Sequence, residues 1–272
     1  MRQVFQQPMT FRAREIGHHA EIQGKTMEGE MAESLKGKVA LVTGAGRGIG
    51  RSTVESLRTL GATVVAGLEA DSQRQAMEGV DCVLLDVREA SQWAEAVSHC
   101  QRAHGGLDIL VNNAGILREG TAEETSLETW HEVLAVNLMS VFLGAKYAVP
   151  ALKERGGGAI VNVASIDGLM GNLRHVAYAA SKGGVVSITR ALAMDHAPDG
   201  IRVNCVCPGT VNTQMVRENM AEYSEELIRQ KHPLGRQAEP EEVADAIAYL
   251  CSPQASFITG QALPVDGGRS IR

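Results

Sequence analysis

Short apolar runs alternate along most of the chain with longer segments of helical periodicity. Seven runs are rich in Val, Ile and Leu, namely KVALVTG, ATVVAG, VDCVLLD, LDILVNNAG, GAIVNVAS, IRVNCVCPG and QALPVDGG. Runs of this kind are typical of parallel strands that are buried on both faces. Helical segments such as EASQWAEAVSHCQRAH and EPEEVADAIAYLCS lie between them. The alternation predicts an α/β fold with a single doubly wound parallel sheet and helices on both faces.

Residues 1–34 do not share this pattern. They mix both charges with Gln and Gly, and they lack a steady apolar period and the apolar core of a secretory signal. From there to the C-terminus the composition shows no break and no internal repeat. We therefore expect a poorly ordered N-terminal extension over residues 1–34 and a single domain over residues 35–272.

Composition and charge limit which class of protein this is and which partners it can bind. The chain of 272 residues is 44% hydrophobic and 21% charged, as expected for a globular protein, and its net charge is -6. The acidic balance argues against nucleic acid or an anionic membrane as a partner. No uninterrupted apolar run reaches the roughly 18 residues that a membrane span needs. The five cysteines show no C-x-x-C spacing, so neither a disulfide framework nor a zinc knuckle is indicated, and we expect a cytoplasmic location.

A glycine-rich stretch, TGAGRGIG, follows the first predicted strand and opens the first predicted helix. Glycines let the backbone pass close to a pyrophosphate, and the start of a helix offers free N–H groups. The stretch therefore predicts a dinucleotide site, with a glycine-rich turn that binds nothing as the alternative. The loop residues expected to bind are Gly44, Arg47, Gly48, Ile49 and Gly50.

An acidic residue that binds ribose is expected about 20 residues further on, at the end of the second strand. Glu69 stands there. Its carboxylate could accept hydrogen bonds from both ribose hydroxyls and would repel a 2′-phosphate, which favours NAD. Arg47 argues for NADP, because its guanidinium could meet that phosphate. We give Glu69 the greater weight and expect NAD, with NADP as the alternative.

The stretch YAASK places Lys182 four residues after Tyr178 in an otherwise apolar helical run. A free tyrosine has a pKa near 10, too high for a base at neutral pH. A lysine at i+4 lies on the same helix face and can lower that pKa. The spacing therefore predicts Tyr178 as a general acid/base tuned by Lys182, which could also reach a bound ribose. An amphipathic helix with two snorkelling side chains is the alternative.

Over residues 36–268 the chain resembles the short-chain dehydrogenases/reductases. The motifs that carry the resemblance are TGAGRGIG, LDV at 85–87, NNAG at 112–115, Asn137 in VNLMS, Ser165, YAASK and PGTVNT at 208–213. The resemblance implies a Rossmann-like sheet, and it makes residues 35–272 a dinucleotide-binding catalytic domain.

The resemblance also implies the roles of the catalytic residues. Ser165 would hydrogen-bond the substrate oxygen beside Tyr178. Asn137 would hold a water that links Lys182 to solvent. Asn137 could instead merely satisfy a kinked helix, and Ser165 could cap a strand end.

The resemblance also implies further positions that bind the cofactor. Asp86 would meet the adenine amino group with Val87 beside the ring, although Asp86 could simply cap a helix. Asn113, Ala114 and Gly115 would bracket the adenosine ribose, or form a purely structural turn. After the sixth strand, the resemblance implies that Pro208 and Gly209 bind the cofactor and that Val211 and Thr213 contact its nicotinamide.

We expect an oxidoreductase that transfers hydride between NAD(H) and a secondary alcohol or ketone, such as a polyol, sugar or cyclic alcohol. One alternative is a 3-oxoacyl-carrier-protein reductase that uses NADPH. Another is a non-catalytic dinucleotide-binding scaffold, which would be expected to lose Tyr178, Lys182 or Ser165. Asn172 and His175 could contact a hydroxylated substrate. No spacing typical of metal ligands stands out. The resemblance implies that the protein forms a homotetramer and binds a small-molecule substrate.

Overall fold

The described part of the chain folds around one parallel sheet of seven strands. The computed structural model describes residues 33–219 and 224–272, and every predicted apolar run forms a strand in it. The strands are β1 (Val39–Thr43), β2 (Thr63–Leu68), β3 (Asp81–Leu84), β4 (Ile109–Asn112), β5 (Gly158–Val163), β6 (Ile201–Pro208) and β7 (Ala262–Val265). All neighbours pair in parallel, in the order β3-β2-β1-β4-β5-β6-β7. The predicted doubly wound α/β fold is confirmed.

Helices connect the strands. They are α1 (Gly48–Thr59), α2 (Ala90–His104), α3 (Leu127–Leu134), α4 (Ser140–Glu154), α5 (Val176–His196), α6 (Gln214–Asn219), α7 (Glu225–Lys231) and α8 (Pro240–Cys251). A 3₁₀ segment that the apolar pattern does not predict, Asp71–Met77, joins β2 to β3.

Each face of the sheet buries its own core, because successive strand residues point to opposite sides. On one face, Val42 of β1 packs with Leu57 of α1 and Ile247 of α8. On the other, Leu41 of β1 packs with Trp93 of α2, and α4 adds small and branched residues. The helices therefore cover both faces, as the sequence predicts.

The strand order creates a crevice at the carboxyl ends of the strands. From β1 the chain winds to β2 and β3 on one side, and then crosses to β4 on the other. The loops that follow β1 and β4 therefore run in opposite directions and leave a crevice between them. Ligands of open α/β sheets bind at such a point, where the strand order reverses.

One long helical segment runs from Leu127 to Glu154, where α3 and α4 are joined by a π-helical turn, Ala135–Met139. By length and composition alone this segment of 28 residues could cross a membrane. Asn137 and Lys146 interrupt its apolar run, so the segment does not stand out in the sequence as a membrane span. Within the fold, 44% of its most apolar stretch is buried.

The predicted N-terminal extension, residues 1–34, lies outside the described residues except for its last two. The described domain begins just before Leu35, which is buried against the core under α1.

Candidate active site

The glycine-rich stretch forms a tight turn between β1 and α1. Gly44 and Gly48 have φ values of 59° and 52°, in a backbone region that residues other than glycine rarely adopt. At Gly50 a Cβ atom would lie 2.2 Å from the Gly44 carbonyl oxygen. Arg47, the N-cap of α1, makes no capping hydrogen bond with its side chain. The N–H groups at the start of α1 are therefore available to an anion.

This turn is one wall of a cavity of about 640 Å³ at the carboxyl ends of the strands. The structure brings nearly all predicted site residues to it. Those that line it are Gly44, Arg47, Gly48, Ile49, Glu69, Asp86, Val87, Asn113, Ala114, Gly115, Ser165, Tyr178, Lys182, Pro208, Gly209, Val211 and Thr213. Of the predicted catalytic and cofactor residues, Gly50 and Asn137 do not line it.

Asn137 is fully buried in the π-helical turn. Its amide group donates to the carbonyl of Ile116 at 2.9 Å and to the Ser181 hydroxyl at 3.0 Å, and it accepts from the Ile116 N–H at 2.8 Å. These bonds support the structural alternative, in which Asn137 holds a distorted helix against the loop after β4. A role in proton transfer stays a prediction.

Ser165, Tyr178 and Lys182 converge at one end of the cavity, from the end of β5 and the first turns of α5. The Ser165 hydroxyl hydrogen-bonds the Tyr178 phenol and accepts from the backbone N–H of Asp167 at 3.1 Å. The Lys182 ammonium lies 5.7 Å from the centroid of the tyrosine ring and donates to the carbonyl of Val163 at 2.8 Å. A serine, a tyrosine and a lysine thus face one space, as predicted.

Burial governs the ionisation of this cluster. It raises the pKa of Tyr178, and the charge of Asp167 raises it further, while the hydrogen bond from Ser165 works in the opposite direction. Burial lowers the pKa of Lys182 to about 8. The sequence predicts a lowered tyrosine pKa, and this prediction is wrong for these surroundings, because desolvation of the phenol and the charge of Asp167 raise the pKa.

A buried acid–imidazole pair beside Tyr178 escaped the sequence analysis. His175 Nδ1 lies 2.6 Å from the Asp167 carboxylate, which also accepts from Asn172 at 3.3 Å. The imidazole packs edge-on against the ring of Tyr178, with 5.9 Å between centroids. Asn172 and His175 do not line the cavity and instead bind Asp167, so contact of either residue with substrate stays a prediction. The sequence feature that could have indicated this pair is Asp167, an aspartate two residues after Ser165 in an otherwise apolar stretch.

Two residues that are predicted to bind the cofactor, Asn113 and Asp86, form hydrogen bonds within the protein. The Asn113 amide donates to the carbonyls of Thr43 and Gly44 at 2.9 and 3.1 Å, which ties β4 to the glycine turn. This contact fits the structural alternative for the NNAG motif. The Asp86 carboxylate accepts hydrogen bonds from two nitrogens of Arg88, at 2.6 and 2.9 Å. These hydrogen bonds lower the pKa of Asp86. Contacts of either residue with adenosine stay predictions.

The charged residues expected to read the ribose occupy different parts of the cavity wall. Leu68 ends β2 fully buried, whereas Glu69 is exposed at the cavity. The backbone N–H of Glu69 donates to Gln73 at 3.1 Å, and no ion pair to its carboxylate occurs within the described residues. Arg47 instead donates to Gln214 at 3.2 Å. Glu69, not Leu68, is therefore the side chain presented at this strand end.

The chain is similar to known proteins over nearly all of the domain that carries this site. A family profile described as Enoyl-(Acyl carrier protein) reductase matches residues 44–270. The chain is 44% identical over 243 residues to 3-alpha-(or 20-beta)-hydroxysteroid dehydrogenase of Mycobacterium tuberculosis, covering 88% of this chain and 91% of that protein. The chain belongs to the short-chain dehydrogenase/reductase family.

Two further members of the family extend the comparison. Cyclohexanol dehydrogenase of Acinetobacter sp. is 42% identical over 253 residues, covering 89% of this chain and 98% of that protein. The ligand-free structure of Thermoplasma acidophilum aldohexose dehydrogenase superposes with a TM-score of 0.82 at 35% identity, covering 88% of this chain and 96% of that one. The protein is therefore an oxidoreductase that acts on hydroxyl groups with a nicotinamide dinucleotide.

The residues present fit such a dinucleotide. The glycine turn leaves no room for a Cβ at Gly50 and keeps the start of α1 open, which suits a pyrophosphate. The carboxylate of Glu69, which has no ion-pair partner among the described residues, suits ribose hydroxyls. The cavity continues from there to Ser165 and Tyr178, so that one ligand could span both ends.

Proposed function

We propose that the protein interconverts a secondary cyclic alcohol and its ketone with NAD(H) as the cofactor. The observation that carries this proposal is the convergence of Ser165, Tyr178 and Lys182 at one end of a cavity whose wall also includes Glu69. A bound nicotinamide would supply or accept the hydride at its C4 atom. The side chains of the protein handle the proton and hold the substrate oxygen.

In the reduction direction, the Tyr178 hydroxyl gives its proton to the substrate oxygen as the carbonyl carbon becomes a carbinol carbon. The raised pKa keeps the phenol protonated at neutral pH, so it is ready to act as the acid. The Ser165 hydroxyl, already directed at the phenol, hydrogen-bonds the same substrate oxygen. The Lys182 ammonium, beside the ring, stabilises the phenolate that results. Oxidation of the alcohol reverses each transfer.

A cyclic alcohol is favoured among the substrates open to this family. The names of the two curated relatives above refer to hydroxysteroids and to cyclohexanol, and both are cyclic alcohols. The cavity wall includes Ile116, Met215 and Val216, apolar side chains that suit a hydrocarbon ring. A sugar is the next candidate, because the solved relative is an aldohexose dehydrogenase.

A relative in Thermotoga maritima, 3-oxoacyl-[acyl-carrier-protein] reductase, is 41% identical to this chain over 245 residues and favours a second candidate, a 3-oxoacyl-carrier-protein reductase that uses NADPH. One assay separates the candidates. Purified full-length protein is given NAD or NADP with cyclohexanol, a 3α-hydroxysteroid or glucose, and NADH or NADPH with an acetoacetyl thioester. Oxidation of cyclic alcohols with NAD supports the proposal. Exclusive turnover of the thioester with NADPH contradicts it.

Exchange of the charge at Glu69 is expected to change the preferred dinucleotide. In wild type we expect a higher kcat/KM with NAD than with NADP, because the carboxylate repels a 2′-phosphate in a partly desolvated cavity. Glu69→Arg is expected to lower the NAD/NADP ratio of kcat/KM by at least about tenfold, since like charges at an interface cost several kcal/mol.

A nearby carboxylate serves as the control for this experiment. Asp71 is exposed, pairs with Arg74 at 2.6 Å and lies outside the cavity wall. Asp71→Asn should leave the ratio unchanged. Equal use of both dinucleotides by wild type, or an unchanged ratio in Glu69→Arg, would show that Glu69 does not read the ribose.

We propose that the protein assembles as a homotetramer. An apolar groove runs between the α3–α4 segment and α5, and the side chains of Met139 and Phe142 beside it are about half exposed. Leu138 and Ile188 continue its lining. Exposed apolar grooves of this kind mark contacts between proteins, and paired helices suit a two-fold axis.

Light scattering coupled to gel filtration is expected to give the mass of four chains for wild type. Phe142→Glu should yield a smaller species, because the second copy would bury a charge against an apolar groove. Leu84→Glu, at an exposed position of edge strand β3, is the matched control and should stay tetrameric. A wild-type monomer at micromolar concentration would contradict the assembly.

We place the protein in the cytoplasm. All five cysteines are unpaired, and four of them are buried. Unpaired thiols are the rule in reducing compartments, where disulfides rarely persist.

A further inference from the structure

Three side chains that commonly bind metals meet at the amino ends of the strands. Asp81 is the first residue of β3, and His99 and His104 lie in the last turns of α2. The Nε2 atoms of the two histidines lie 2.7 and 2.8 Å from the same oxygen, Oδ2 of Asp81. One ligand atom from each residue lies within 4.8 Å of the other two. The three donors therefore already converge on one point.

The local charge favours a cation. Within the described residues, the ion-pair partners of Asp81 are these two imidazoles alone, and an imidazole carries no permanent positive charge at neutral pH. The last carbonyl groups of α2, which ends at His104, add the negative end of a helix dipole. A divalent ion would supply the positive charge that this carboxylate and helix end lack.

The donor set selects the kind of metal. Two imidazole nitrogens and one carboxylate oxygen suit zinc and its neighbours in the first transition series, whereas magnesium and calcium prefer oxygen ligands alone. The side chains are 24–35% exposed, so an ion can enter and water can complete its coordination. We propose that Asp81, His99 and His104 form a Zn²⁺ site that fastens edge strand β3 to α2.

The position of this site points to a structural role. The proposed catalytic residues follow the carboxyl ends of the strands, and the cluster lies at the opposite ends. Strand β3 has only four residues and one sheet neighbour, β2, so few backbone hydrogen bonds hold it. An ion shared by β3 and α2 would stabilise this edge of the sheet. The proposal does not depend on the substrate or the dinucleotide.

Sequence reasoning overlooked the cluster for a simple reason. Along α2, His99 and His104 are five residues apart, a spacing that resembles no common ligand motif. The third donor, Asp81, comes from a strand 18 residues before His99, and only the packing of α2 beside β3 brings it near.

Calorimetric titration of untagged, chelator-treated full-length protein with ZnCl₂ tests the site. His18 and His19, which lie outside the described residues, are replaced by glutamine in every sample so that they cannot contribute. We expect one zinc ion per chain with a Kd of about 10 µM or tighter. Asp81→Asn and His99→Gln should each weaken binding by at least about tenfold. Mg²⁺ in place of Zn²⁺ should give no saturable heat.

A single acid–imidazole pair elsewhere provides the matched control. His196 Nδ1 lies 3.1 Å from Asp199 at the end of α5, and no second histidine pairs with Asp199 within the described part of the chain. His196→Gln should leave zinc binding unchanged. Circular dichroism confirms that each variant is folded, and His104→Gln replaces any that is not.

Thermal unfolding supplies an independent readout. Zinc at about a hundredfold excess over Kd should raise the Tm of this protein by roughly 5–10 °C, and should not raise that of Asp81→Asn. Absence of saturable binding, or zinc binding and stabilisation that persist in Asp81→Asn, would overturn the site.

Discussion

Replacement of Tyr178 by phenylalanine is expected to lower kcat by about 10²–10⁴-fold, the usual cost of losing a general acid/base. Only the hydroxyl is removed. The ring keeps its edge contact with His175 and its place beside Lys182, so the fold and the cavity persist. Dinucleotide binding, measured by calorimetry, should stay within about twofold of wild type, since the lost group acts on the substrate oxygen alone.

The control for this variant is a tyrosine remote from the cavity. Tyr147 on α4 is half-buried against the core and lies outside the cavity wall, so Tyr147→Phe should keep wild-type kcat. The assay must be limited by chemistry, which a kinetic isotope effect with deuterated cofactor can verify. If Tyr178→Phe keeps more than about a tenth of wild-type kcat, a role for its hydroxyl in proton transfer is wrong.

The second large effect is expected from Lys182→Met, with activity and stability moving in opposite directions. The variant lacks the charge that stabilises the Tyr178 phenolate, and kcat/KM should fall by about a hundredfold or more. Burial of the ammonium lowers the pKa of Lys182 from 10.5 to about 8, which corresponds to an unfavourable contribution on the order of 3 kcal/mol to folding at neutral pH. Loss of its hydrogen bond to Val163 offsets part of the gain, so Tm should rise by about 2–4 °C.

The pH dependence follows from the sign of this shift. Between pH 8 and 10.5 the unfolded chain binds more protons at Lys182 than the folded chain, so wild-type stability gains from this group as the pH rises. The advantage of Lys182→Met should therefore be largest below pH 8 and shrink toward pH 10.5. Lys146→Met, at an exposed position on α4, should change neither Tm nor kcat/KM. A less stable Lys182→Met with unchanged kcat/KM would contradict the assignment.

The sheet was predictable because its strands are buried on both faces and its helices are amphipathic. The run KVALVTG becomes β1, whose residues are almost fully buried, and the glycines behind it become the turn into α1. The π-helical turn at Ala135–Met139 was not predictable from periodicity. It depends on hydrogen bonds between Asn137 and Ile116, which is 21 residues away in the sequence.

The candidate site was predictable as a set of residues but not in its electrostatics. Spacing placed Tyr178 and Lys182 on one helix face, and the structure brings both to the cavity. The direction of the tyrosine pKa depends on how deeply the phenol is buried and on the charge of Asp167, and periodicity reports neither. Partners such as Arg88 for Asp86 likewise depend on side-chain conformations that a linear pattern does not contain.

The most direct test of the proposed function follows the hydride itself. Full-length wild-type protein is incubated with NADH deuterated at C4 and with cyclic ketones, and the products are analysed by mass spectrometry. We expect the alcohol to carry a single deuterium on its carbinol carbon, because hydride moves from nicotinamide to carbon while Tyr178 supplies the proton to oxygen. Tyr178→Phe should give almost no labelled alcohol over the same time. Product alcohol without deuterium, or no conversion of any ketone by wild-type protein that binds NADH, would contradict the account.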